Sequence, residues 1–177
     1  MKNLILLFAT LITLSCCSSD DDNSDKLPPE TQTGANTAGC LVNGKVFLPK
    51  QEGLNPALIC NYEFIDGDFF FNLVIRDNSG QGVKSVSVKT SRINLQTNTT
   101  YNLDKENTIF EDFTGGSGIY LIDASNFFYT NTIKTGELKI TKLDLQNSII
   151  SGTFWFDAIN NTGETVEIRQ GRFDMNY

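Results

Sequence analysis

ISGTFWFDAINNTGETVEIRQGRFDMNY, residues 150–177, decides the fold class. Phe154, Phe156 and Ala158 fall on one side of an extended chain, and Asn160-Asn161-Thr162-Gly163 reverses it. Val166 and Ile168 continue the apolar face, while Thr165, Glu167 and Arg169 face water. A period of two interrupted by a turn is the signature of an antiparallel hairpin. The parity then slips, because Phe173, Met175 and Tyr177 are odd-numbered where Val166 and Ile168 are even. Such a slip would turn the whole apolar set to the wrong face. The pattern therefore predicts a β-bulge at Gln170-Gly171, with the glycine as the permissive residue.

The same alternation runs back through the chain. Cys40, Val42, Val46 and Leu48 share a face of a first strand that Pro49 ends, and Leu58, Cys60, Tyr62 and Phe64 share a face of the second. Asp66-Gly67 is a tight-hairpin signal, after which Phe69, Phe71, Leu73 and Ile75 line up. Asp77-Asn78-Ser79-Gly80 turns the chain into a segment where Val86 and Val88 alternate with Ser85, Ser87 and Lys89. Shorter runs follow at Tyr101-Asn102-Leu103, Ile119 to Ile122, Phe127 to Tyr129 and Glu137 to Leu145. No segment sustains a helical period with caps. The expected fold is all-β, an antiparallel meander forming a β-sandwich or flattened barrel of roughly 8–10 strands with little or no helix.

Composition narrows the chemistry. A chain of 177 residues that is 40% hydrophobic and 20% charged supports one stable domain. Its net charge of -7 argues against nucleic acid as a partner, since phosphates demand clustered Lys and Arg. Histidine is absent, which removes the commonest general base and zinc ligand and excludes Ser-His-Asp and Cys-His catalysis. No motif calls for a metal or a cofactor.

The N-terminus reads as an address. Met1-Lys2-Asn3 supplies a positive charge and Leu4 to Leu14 an apolar stretch, too short to span a bilayer but suited to a signal peptide. Thr13-Leu14-Ser15-Cys16 resembles a bacterial lipobox, which implies cleavage after residue 15 and lipidation of the Cys16 thiol, with Cys17 as the alternative. Stable membrane attachment then follows from two or more acyl chains. Ser19-Asp20-Asp21-Asp22 resembles the acidic export signal that Bacteroidota place behind the lipidated cysteine to send lipoproteins to the outer face of the outer membrane. Otherwise the acids are a charged spacer. Residues 16–38 lack hydrophobic periodicity and read as a flexible tether, leaving 39–177 as a single all-β domain.

Two groups of motifs carry a family resemblance. Ile150-Ser151-Gly152-Thr153-Phe154-Trp155-Phe156, Gly163-Glu164-Thr165-Val166 and Gly171-Arg172-Phe173-Asp174 resemble the C-terminal signature of an uncharacterised lipoprotein family of Bacteroidota. Val42-Asn43-Gly44-Lys45-Val46-Phe47 resembles its opening strand. The resemblance implies the same cellular address and no established activity.

Candidate site residues are few. Cys40 and Cys60 are a candidate disulfide in an oxidising compartment, against two buried free thiols. Hairpin pairing of their strands would hold them too far apart, so a bridge requires the first strand to pair elsewhere. Acid pairs such as Asp66 with Asp68, or Glu111 with Asp112, are the only conceivable acid and base, and Asp66 is already explained by its turn. Trp155 lies opposite Phe154 and Phe156. It is expected to be core beneath a covered sheet, with a binding platform for a sugar ring or protein as the alternative. Phe127-Phe128-Tyr129 cannot all face one side, which makes Phe128 and Tyr129 further binding candidates. The expected function is a non-enzymatic, outer-membrane, surface-exposed lipoprotein that binds a glycan, peptide or envelope protein. A structural subunit of an envelope complex and a carboxylate-based hydrolase are the alternatives.

Overall fold

The computed structural model describes residues 26–80, 82–106, 113–123 and 125–177. The segment expected to be a signal peptide, Cys16, Cys17, Ser19, the acids at 20–22 and the Glu111-Asp112 pair lie outside the described residues.

Eleven strands and no helix make up the described chain: β1 (Thr37–Val42), β2 (Lys45–Phe47), β3 (Leu58–Ile65), β4 (Asp68–Asp77), β5 (Lys84–Ser91), β6 (Thr99–Leu103), β7 (Gly115–Asp123), β8 (Asn126–Tyr129), β9 (Gly136–Asp144), β10 (Ile149–Ile159) and β11 (Thr165–Asn176). They form one sheet in the order β2-β1-β11-β10-β9-β6-β7-β5-β4-β3, with β8 bridging β7 and β10. The sheet folds over so that strands from its two halves face each other across one core, consistent with a β-sandwich or a flattened barrel. Rings from opposite halves meet inside: Phe47 with Tyr120 at 6.4 Å, Phe71 with Phe173 at 5.7 Å, and Tyr62 with Tyr177 at 5.7 Å. Such offset and edge-on pairs are the favoured geometries for buried aromatics. The fold class is the expected one, but two details of topology differ. β6 inserts between β9 and β7 and runs parallel to β7, so the chain is not a plain meander. There are also more strands than the alternation predicts, and the extra one arises in the first segment.

That segment is a hairpin, not one strand. Asn43 and Gly44 take φ of 48° and 78°, the paired left-handed conformation of a two-residue turn, and Cys40 pairs with Phe47. Cys40 and Phe47 point inward while Val46 is exposed, so the continuous face proposed for Cys40, Val42, Val46 and Leu48 does not exist. Phe64 likewise leaves the face of Cys60 and Tyr62 and is 63% exposed.

The parity slip in β11 is resolved by a bulge, as the pattern requires. Phe154 pairs with Gly171 but Phe156 with Ile168, so Trp155 alone opposes Arg169 and Gln170. The left-handed residue is Gln170, at φ 51°, not the glycine. Gly171 serves a different need: a Cβ there would lie 2.5 Å from the Phe154 ring. Past the bulge Phe173 and Met175 return to the core.

Part of the segment expected to be a flexible tether, residues 26–36, packs on the sheet. Residues 26–36 lie across the outer faces of β1, β10 and β11. Arg172 Nη1 donates to the Pro28 carbonyl at 3.4 Å, Lys142 Nζ to the Gln32 carbonyl at 3.1 Å, and Asn176 Nδ2 to the Gly34 carbonyl at 2.8 Å. This strap belongs to the folded unit.

Candidate functional site

One carboxylate anchors the middle of the strap. Alternation places Asp174 on the outer face, between Phe173 and Met175, yet it is buried. Its oxygens accept from Thr31 Oγ1 at 2.6 Å, Thr33 N at 2.9 Å, Gly34 N at 2.8 Å, Ala35 N at 3.2 Å and Ser151 Oγ at 2.8 Å. Burial pushes its pKa up, but these donors outweigh burial and hold the carboxyl well below the usual range. Sequence reasoning missed this role, although the donor-rich Thr31-Gln32-Thr33-Gly34 opposite a lone acid in an apolar strand was the available signal.

Beside the strap, β10 presents Trp155 outward. It is 38% exposed, so the expectation of a core tryptophan is overturned: this stretch of sheet has an uncovered outer face. The ring is fixed at two points. Its Nε1 donates to Glu137 Oε2 at 3.3 Å across the β9–β10 pair, and the Arg169 guanidinium lies 5.5 Å from the ring centre. Arg169 is itself held by Asp157, Nη2 to Oδ1 at 2.6 Å. Trp155 borders a depression of about 380 Å³ whose other walls include Thr100, Lys139, Thr153, Arg172 and the strap residue Glu30. A partly exposed indole among hydrogen-bonding and charged side chains can stack on a flat ligand and bind its polar edges. That volume lies within the usual range for small-ligand sites.

The aromatic run on β8 divides between the two faces. Phe128 is in the core against Tyr120, and its candidacy for binding is withdrawn. Tyr129 stays outside, stacked on Phe127 with ring centres 5.9 Å apart and planes 7° apart. With Asn126, Asn160, Thr162 and Glu164 these rings line a second depression of about 480 Å³. Tyr129 pairs with Ile159, which shares the outer side of β10 with Trp155.

The remaining candidates are not brought together. Cys40 and Cys60 are free, buried thiols on β1 and β3, which do not pair, and burial pushes each pKa up to about 12. The first strand does pair elsewhere, with β2 and β11, as a bridge would require, yet the candidate disulfide is absent and both thiols stay free in the core. Asp66 sits in the β3–β4 turn at φ 51°, and Asp68 pairs with Arg92 at 3.1 Å. Among the described residues no group of three or more His, Cys, Asp or Glu is arranged to hold a metal.

No curated protein and no solved structure matches the chain. Residues 71–175, from the inward Phe71 of β4 to the inward Met175 of β11, match one family along more than half of the sequence. By that match the chain belongs to the family described as Domain of unknown function (DUF6252).

Proposed function

We propose that this chain is a lipid-anchored lipoprotein of the outer membrane, of the Bacteroidota type and displayed outward, that acts as a non-catalytic binding module for saccharides. The observation that carries the binding reading is Trp155: a large aromatic left partly exposed and oriented by Glu137 and Arg169, at the edge of a polar depression. Leaving such a ring in water gains no burial, whereas fixing its orientation lowers the entropic cost of stacking a ligand on it. The lipobox at Cys16 and the acids at 20–22 support the address.

Trp155 is the chain's single tryptophan, so its emission reports this site alone. Titration with a panel of neutral, amino and acidic oligosaccharides is expected to change that emission saturably for one class. The same ligand is expected to lose affinity by about tenfold or more in a Trp155→Ala variant followed by calorimetry. An emission unchanged across the panel would sink the saccharide reading. For the address, protease shaving of intact cells is expected to cut the wild type and spare a variant with Asp20, Asp21 and Asp22 replaced by Ala.

A structural subunit of an envelope complex is the second reading. It rests on the end of the strand β3, where Phe64 is 63% and Ile65 48% exposed at an edge that no other strand of the described residues covers. A concentration-dependent mass in sedimentation, abolished by Phe64→Glu, would favour it.

A further inference from the structure

The sheet ends in two edges, and the sequence guards only one of them. β2, at one end, is three residues long, begins with Lys45 and is followed by Pro49. A short strand, a lysine and a proline are devices that keep an edge from adding another strand. β3, at the other end, is eight residues long and carries neither lysine nor proline. Its pairing with β4 runs from Leu58 to Ile65 without a bulge, so nothing in the strand twists its free side away. No other strand of the described residues covers that side, and Phe64 and Ile65 stand exposed at its end.

A strand that adds there must run alongside β3 and match it face for face. β3 meets that demand itself. By alternation Ile59, Asn61, Glu63 and Ile65 share its outer face. Two copies related by a two-fold axis pair antiparallel, and keeping outer residues opposite outer residues leaves few positions for the axis. An axis at Glu63 sets two glutamates directly opposite each other, which is destabilising. An axis beyond Glu63 runs each copy into the turn at Asp66-Gly67 of the other. An axis at Asn61 sets Glu63 against Ile59 and Ile65 against Ala57, which lies outside the strand; an earlier axis leaves Ile65 further still from a partner. An axis at Tyr62 sets Ile59 opposite Ile65 and Asn61 opposite Glu63, each pair occurring twice. Apolar then meets apolar, the amide donates to the carboxylate, and the pairing extends from Ile59 to Ile65.

We propose that β3 pairs with β3 of a second copy about a two-fold axis at Tyr62, joining the sheets of both chains into one. The proposal rests on the second reading above and names its partner. It does not depend on the saccharide reading, since Trp155 lies on β10, far along the sheet from β3.

Sedimentation equilibrium on a chain beginning at Ser18 tests it, because that chain keeps every described residue and carries no acyl group. A reversible monomer–dimer equilibrium is expected, weak because one strand from each side makes a small interface. Asn61→Lys puts a cation opposite Glu63 at two symmetric places. It is expected to tighten the dimer by about threefold to tenfold, and less so as salt rises. Asn61→Glu is expected to loosen the dimer by a similar factor, and adding Glu63→Lys to Asn61→Glu is expected to restore it. Both positions are exposed, so these variants are expected to melt with the wild type, and a changed mass is not lost folding. A mass of one chain at every concentration up to about 1 mM would overturn the proposal, and self-association with it. A dimer that Asn61→Lys weakens or leaves unchanged would overturn the pairing at Tyr62 while leaving self-association in place. A mass that grows past two chains would do the same, because a two-fold contact closes at the dimer.

Discussion

Asp174 ties Thr31, Thr33, Gly34 and Ala35 of the strap to the sheet. Its folded pKa lies below the ordinary carboxylate value, so it stabilises the fold at every pH above about 4. That contribution is lost as pH falls from there through the depressed folded value. Asp174→Asn keeps the shape but removes the charge-assisted bonds, and is expected to cost on the order of 2–3 kcal/mol near neutral pH. Melting curves of both proteins from pH 7 to pH 3 check this: their separation should hold steady down to about pH 4 and narrow below it. A separation that widened on acidification would remove the carboxylate from this role. The residue was legible in the sequence only as an acid out of place, because its donors sit some 140 positions away in a segment without periodicity. Trp155 was legible as a residue on the opposite side from Phe154 and Phe156, but not as exposed, since local alternation does not say whether a second layer covers the outer face.

β11 shows what a strand's pattern can and cannot fix. The parity of Val166, Ile168, Phe173 and Met175 located the bulge to within a residue, because a buried face forbids any other register. It assigned the conformations the wrong way round. Gln170 bears the left-handed φ, and Gly171 is small because the Phe154 ring covers it. The two assignments predict opposite results. Gln170→Gly should stabilise the protein by about 0.5 kcal/mol, relief of the left-handed strain outweighing the extra backbone entropy. Gly171→Ala should destabilise it by about 1–3 kcal/mol through overpacking against Phe154. Denaturant midpoints read both. A destabilised Gln170→Gly would return the bulge to a glycine-centred form. The β1–β2 hairpin was missed for a related reason. Asn43-Gly44 is a strong turn signal, but the apolar residues on either side keep the same parity across it, so alternation alone reads straight through the reversal.

Across the whole molecule, the first and last strands are neighbours. β1 lies between β2 and β11, and the strap crosses both β1 and β11. The family match, by contrast, begins at Phe71, inside β4, and leaves β1, β2, β3 and the strap outside it. Those outer elements are not appendages. Ala38, Cys40, Phe47, Cys60 and Tyr62 all belong to the same buried cluster as Phe71 and Phe173. Removing them would bare one side of that core and open the edges of β4 and β11, which are prone to pair with other chains. A chain trimmed to residues 71–175 is therefore expected to lack a cooperative melt and to aggregate. One trimmed to 37–177, compared with a chain of residues 26–177 so that only the strap differs, is expected to fold with a melting temperature lower by roughly 5–10 °C, from the loss of about 2–3 kcal/mol. Thermal melts followed by circular dichroism separate the three lengths. If the 71–175 chain melts cooperatively, the first three strands are an accessory layer and the folding unit coincides with the matched segment. If the 37–177 chain melts with the 26–177 chain, residues 26–36 rest on the sheet without stabilising it, and the folded unit begins at β1.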